Sequence, residues 1–84
     1  MEKKIVGKVT HFFQKIGVAV VDVSDELRVG DRIVIETGSG PIEQAVESMQ
    51  IEHEQINVAM PGQSIGLKVN GSAHQGNMVY KLVE

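Results

Sequence analysis

Apolar and polar residues alternate along much of this chain with a period of two. Ile5, Gly7 and Val9 alternate with Val6, Lys8 and Thr10, and Val18, Val20 and Asp22 alternate with Ala19, Val21 and Val23. Successive side chains of a strand point to opposite faces, so this period predicts strands. The many Val, Ile and Thr residues suit a pleated surface. Turn-forming clusters punctuate the pattern at Lys15-Ile16-Gly17, Ser24-Asp25, Val29-Gly30-Asp31, Gly38-Ser39-Gly40-Pro41, Pro61-Gly62, Asn70-Gly71 and Gln75-Gly76-Asn77. Strands are predicted over 4–12, 16–23, 31–37, 42–54, 63–69 and 77–83. Short strands so spaced predict a sandwich or barrel.

One segment has two readings. Residues 42–55 contain no Gly or Pro and are rich in helix formers, but the stripe Ile42, Ala45, Val46, Met49 is broken by Ile51. As a strand, Met49, Ile51 and His53 share a face, and a single-residue bulge near Glu47-Ser48 brings Val46 inward with Met49. The strand is preferred because its neighbours need a partner. Gly30 and Gly62 suit turn positions with φ > 0, and Asp31 can accept from the turn's backbone amides. Gly66, inside a strand, suits a bend or a close backbone approach. The expected core is Ile5, Val9, Val18, Val20, Val29, Ile33, Ile35, Val46, Met49, Ile51, Ile65, Leu67, Val79 and Leu82. The connection 70–77 is the most polar and glycine-rich, and is expected to be the most mobile.

Composition narrows the class. Eighty-four residues make one domain, 1–84, and 42% hydrophobic with 23% charged residues is ordinary for a soluble globular domain. There is no cysteine, hence no disulfide or thiolate metal site, which suits a reducing compartment. No apolar run approaches the ~20 residues of a membrane span, and the start lacks a signal-peptide pattern. The expectation is a cytoplasmic protein without membrane contact. Asn70-Gly71-Ser72 then reads as a tight turn rather than a glycosylation site. The net charge of −3 argues against a bulk phosphate binder. The charge is uneven: Lys3, Lys4, Lys8 and Lys15 lie near the start, whereas 33–67 has no Lys or Arg and holds Glu36, Glu43, Glu47, Glu52 and Glu54.

Candidate chemistry is sparse. His53-Glu54-Gln55-Ile56-Asn57 lacks the second histidine of a His-Glu-x-x-His zinc helix, and His11 and His74 are distant, so no metal is expected. Ser24, Ser39, Ser48, Ser64 and Ser72 have no nucleophile-elbow surroundings. Gly38-Ser39-Gly40-Pro41 lacks the lysine of a phosphate loop, so no nucleotide is expected. The expectation is a non-enzyme without a cofactor. Phe12 and Phe13 are adjacent, so one ring can face the core while the other either packs under a loop or, outside, serves as a stacking platform between Lys8 and Lys15. Lys3, Lys4, Lys8, Phe13 and Lys15 are therefore candidate contacts for RNA, with Lys81 joining that flank if the terminal strands lie close. The acidic segment 42–54 offers the alternative: Glu47, Glu52 and Glu54 as a docking face for a larger, basic protein partner.

Several short motifs, in order, add a resemblance. Gly7-Lys8-Val9-Thr10, Leu27-Arg28-Val29-Gly30-Asp31, Val46-Glu47-Ser48-Met49, Ala59-Met60-Pro61-Gly62-Gln63-Ser64-Ile65-Gly66-Leu67 and Gly76-Asn77-Met78-Val79 resemble the second-domain barrel of translational GTPases such as elongation factor Tu. Gln63 and Asn77 stand where that family has acids. A similar barrel is the C-terminal accessory domain of collagenase-like peptidases. The resemblance implies an all-β, small closed barrel of six or seven mostly antiparallel strands, of the translation-protein type. It also implies a non-catalytic binding module that engages RNA or a translation-associated ribonucleoprotein. The alternative it implies is an accessory domain that acts in trans on a larger protein. The GTPase domain is absent, and peptidase chemistry would lie outside this barrel.

Overall fold

The computed structural model describes residues 2–83, so the first and last positions of the expected domain lie outside the described residues. It contains ten strands: β1 Glu2–Phe13, β2 Val18–Val23, β3 Leu27–Arg28, β4 Arg32–Thr37, β5 Gly40–Ala45, β6 Met49–Ile51, β7 Glu54–Ile56, β8 Val58–Ala59, β9 Ser64–Lys68 and β10 Met78–Val83. Eight form one antiparallel sheet in the order β5-β4-β10-β1-β2-β9-β6-β7, and β3 pairs with β8. The all-β, antiparallel expectation holds. The strand number exceeds six or seven because short pairs form beside the long strands.

Three glycine turns organise the sheet. Arg28–Asp31, Met60–Gln63 and His74–Asn77 each carry Gly at the third position, with φ of 97°, 91° and 94°. In each, the fourth residue's side chain accepts from the first residue's N–H: Asp31 from Arg28 at 2.8 Å, Gln63 from Met60 at 2.7 Å, Asn77 from His74 at 2.8 Å. Each turn also docks on a buried valine. The glycine N–H donates to the valine C=O and the valine N–H donates to the C=O of the fourth residue, at 2.7–2.9 Å, for Val46, Val23 and Val9 in turn. This is the geometry of a glycine bulge following a type II turn. The turns launch β4, β9 and β10. Gln63 and Asn77 replace an acid without loss because the position requires an acceptor, not a charge.

The same docking corrects the expected strand over 42–54. Val46 extends the β4–β5 register by one pair onto the turn at 30–31, and past it the chain breaks into β5 and β6 instead of bulging. Val46 and Met49 are both buried, as expected. After Ile51 the chain reverses in a two-residue turn with φ of 50° at Glu52 and 67° at His53, and returns as β7. The connection 70–77 is likewise pinned, with Ala73 fully buried and its turn on Val9.

The core is corrected in β1 and β2. The register of β1 slips between Ile5 and Gly7 against β10, and between Val9 and His11 against β2. Val6, Val9 and Phe12 therefore face inward at steps of three, and Ile5 is 49% exposed. In β2 both faces are apolar; Ala19, Val21 and Val23 enter the core, leaving Val18 and Val20 half-buried on the outer face. Gly7 sets this arrangement, because a Cβ there would meet Val21 Cγ1 at 2.5 Å and Asp22 O at 2.8 Å. Val29 is exposed at a turn tip, and Ile51 and Leu82 are half-buried. The other expected core residues are buried.

The backbone ladder runs from β5 to β7 without a β5–β7 pairing. A side chain crosses to β9 instead. Gln44 on β5 is buried, donates from Nε2 to Lys68 O at 2.8 Å and accepts at Oε1 from Asn70 N at 2.8 Å. Its amide thus acts as a peptide group at the seam.

Gln44→Leu is expected to leave both backbone groups unpaired and to lower unfolding free energy by about 2–3 kcal/mol. Gln55→Leu, on the exposed face of β7, serves as the control in the same urea titration, with an effect within about 0.5 kcal/mol. For the turns, Asp31→Ala is expected to cost about 1 kcal/mol, whereas Asp31→Asn, which retains the acceptor, leaves the urea midpoint near that of the parent.

Candidate functional site

Most of the expected basic flank is engaged in ion pairs. Lys3 lies 2.7 Å from Glu36 and over the Tyr80 ring at 4.9 Å. Lys4 lies 2.8 Å from Asp25. Lys81 donates to Glu26 O at 2.9 Å and lies 3.8 Å from Asp31. Hydrogen bonds donated to the Glu36 and Asp25 carboxylates raise Lys3 and Lys4 above the usual lysine pKa. The Lys4 hydrogen bond, helped by the Glu26 N–H, holds Asp25 below the usual carboxylate range. Lys8 and Lys15 are exposed and in no ion pair among the described residues. The five lysines therefore do not present one uncompensated basic surface.

The two phenylalanines divide as expected. Phe12 packs against the core and Phe13 is 46% exposed, with His11 edge-on to its ring at 4.5 Å. Phe13 opens onto a groove across the outer face of the sheet. Pairing aligns His11 with Val20, Val20 with Gly66 and Gly66 with Gln50, so β1, β2, β9 and β6 all contribute. The groove has a volume of about 280 Å³ and is lined by Phe13, Ile16, Val18, Val20, Gln50, Glu52, His53 and Gly66. Gly66 keeps its floor low: a Cβ there would sit 3.3 Å from Val18 Cγ1. This is the close approach expected of a strand glycine. The outward phase of Val18 and Val20, and hence the groove itself, was hidden by the two apolar faces of β2.

A second depression, of about 400 Å³, lies between the end of β1 and the 72–75 segment. His11 and His74, far apart in sequence, both line it. His53 is instead in the β6–β7 turn, where Glu54 begins an edge strand, so the His-Glu string has no helix to align it. Among the described residues no three His, Asp or Glu side chains gather into a group able to hold a metal ion.

The acidic residues divide into paired and unpaired ones, with exposed Glu2 and Asp22 among the unpaired of the described residues. Glu36, Asp25, Glu26, Glu43 and Asp31 are paired with Lys or Arg. Glu47, in the connection before β6, Glu52 in the turn and Glu54 on β7 are exposed and in no ion pair among the described residues. Glu47 accepts only from Asn70 Nδ2, at 3.5 Å.

Comparison with known proteins points to peptidases. No family model matches the chain. It is 36% identical over 80 residues to an uncharacterised protease of Methanocaldococcus jannaschii, a match covering 94% of this chain and 20% of that protein. It is 36% identical over 83 residues to a collagenase of Porphyromonas gingivalis, covering 95% of this chain and 23% of the collagenase. The chain thus spans about a fifth of the length of the curated relatives it matches. Its fold matches the C-terminal domain of a Geobacillus thermoleovorans protein assigned to the U32 peptidases. That match has a TM-score of 0.88 at 23% identity, covering 95% of this chain and 93% of that domain. The selenomethionine form of that domain matches with a TM-score of 0.85, covering 90% and 96%. Of the two resemblances drawn from sequence motifs, these proteins support the one to the accessory barrel of collagenase-like peptidases.

Asp25 supplies a pH test of the paired flank. Its lowered pKa means that its stabilisation is present above the ordinary carboxylate pKa of about 3.9, and is lost as pH falls through the lower folded value. Lys4→Ala is expected to move the Asp25 midpoint upward in a carboxyl-carbon NMR titration and to reduce this acid-side loss of stability.

Proposed function

We propose that this domain is a non-catalytic accessory module that docks on a larger protein, the catalytic part of a collagenase-like peptidase. The observation that carries this reading is the extent of the similarity. A segment like this chain makes up about a fifth of proteins called protease or collagenase, and the same fold stands as a separate C-terminal domain. The surface agrees with a binding role. Among the described residues His53 sits in a hairpin turn, and Asp25, Glu26, Asp31, Glu36 and Glu43 are in ion pairs. The reading as an RNA module rests on Phe13, Lys8 and Lys15, after Lys3 and Lys4 are assigned to Glu36 and Asp25. Lys8, Lys15 and Lys68 are the exposed cations outside ion pairs among the described residues. So few cations give few phosphate contacts, and affinity for RNA scales with the number of those contacts.

The test is amide chemical-shift mapping of the labelled chain against two titrants. The first is the Methanocaldococcus jannaschii protease lacking its matching fifth; the second is bulk transfer RNA at low and moderate salt. Saturable broadening with the truncated protease and none with RNA is the expected result. No response to the protease, with salt-sensitive RNA shifts confined to 3–15, contradicts the proposal.

A further inference from the structure

We infer that the groove between Phe13 and the Glu52–His53 turn receives an extended segment of the partner, one that carries a bulky apolar side chain followed by basic residues. This rests on the accessory-module reading and adds to it a face and a chemistry. Phe13 and Ile16, 46% and 60% exposed, form one end of the groove, and both are large apolar side chains open to water. Gly66 gives the floor, so the opening is deep where a side chain would otherwise fill it. A volume of about 280 Å³ is small beside the ~300–1,000 Å³ of small-ligand pockets. It suits one or two inserted side chains rather than a cofactor.

The opposite wall is strained. A two-residue hairpin turn with positive φ at both positions favours Asn-Gly, yet Glu52 and His53 occupy it. Histidine tolerates that region better than most residues and glutamate does not. Nothing in the core requires either side chain, since both are exposed. Strain of this kind concentrates where a side chain is held for a partner. The charge is directional as well. Glu52, in the lining of the groove, and its neighbours Glu47 and Glu54 are in no ion pair among the described residues, as are Glu2 and Asp22 elsewhere, whereas Asp25, Glu26, Asp31, Glu36 and Glu43 are paired. No Lys or Arg occurs in 33–67, and Lys68 Nζ donates to Ile16 O at 3.2 Å, so the cation sits at the Phe13–Ile16 end of the groove and not in an ion pair with Glu52. An apolar slot with an unmatched acidic lip complements an apolar anchor followed by Lys or Arg.

The decisive variant is Glu52→Asn with His53→Gly. It installs the preferred turn, so the urea midpoint is expected to rise while affinity for the truncated Methanocaldococcus jannaschii protease falls at least fivefold. Loss of binding with a gain in stability cannot come from misfolding. Phe13→Ser and Gly66→Val are expected to weaken binding about tenfold, whereas Met60→Ser, an exposed apolar residue outside the groove, leaves it unchanged. Equal binding by all variants overturns the groove and leaves the accessory reading standing. If the protease does not bind the parent chain, the accessory reading falls and two hexapeptides decide the groove. One has Leu-Phe followed by two Arg, the other Leu-Phe followed by two Glu. Shifts at 13–20, 50–53 and 66 with the basic peptide alone support the groove; equal or absent shifts overturn it, as does transfer RNA binding at those amides.

Discussion

A buried valine exchanging two backbone hydrogen bonds with a glycine turn is the unit on which this fold depends. Val9, Val23 and Val46 each satisfy both of their peptide groups against a turn that has just reversed the chain. The interaction joins local and non-local structure. The turn needs a glycine at positive φ and an acceptor one residue later, and both are local in sequence. The valine lies elsewhere in the chain and brings its side chain into the core at the same point. Buried backbone polar groups must find partners, so each contact fixes where β4, β9 or β10 starts and which of its faces turns inward.

Two features follow from that frame. Each valine carries its ladder one pair further, onto the turn; past Val46 the chain leaves β4 and joins β9, which is why β5 and β6 are separate strands. The gap this leaves is bridged by the Gln44 amide. The slips in β1 then turn Ile5 outward and Val6 inward, and β2 presents Val18 and Val20 to the outside. An apolar outer face on a small domain is the opposite of what solubility favours, and it is lined on one side by unmatched acids. A surface of this kind agrees with a module that spends part of its time covered.

The turns were legible in the sequence because Gly30-Asp31, Gly62-Gln63 and Gly76-Asn77 place the required residue types next to one another. The division of Phe12 and Phe13 was legible because adjacent strand residues oppose each other. The phase of β1 was not, since a bulge adds a residue without leaving a mark in composition. The phase of β2 was not, since Val18-Ala19-Val20-Val21 is apolar on both faces. The Glu52–His53 turn carries no turn signal in the sequence, because neither residue is a typical turn former. Gln44 is one polar residue among several in the sequence, and only the course of the chain through Lys68 and Asn70 identifies its partners. The pairing of Lys3 and Lys4 with acids 33 and 21 residues away likewise depends on which strands become neighbours. Two of the four lysines of the basic cluster are therefore neutralised in space, and Lys8 and Lys15 are not in ion pairs among the described residues.

The central claim is that the domain meets a peptidase partner through its outer groove. Cross-saturation from the unlabelled, truncated Methanocaldococcus jannaschii protease to the deuterated chain tests it most directly, because it reports contact rather than induced change. The account predicts signal loss at amides 13–20, 50–54 and 66, with 2–10 and 78–83 unaffected. Signal loss confined to the ion-paired flank, or none anywhere, would contradict it.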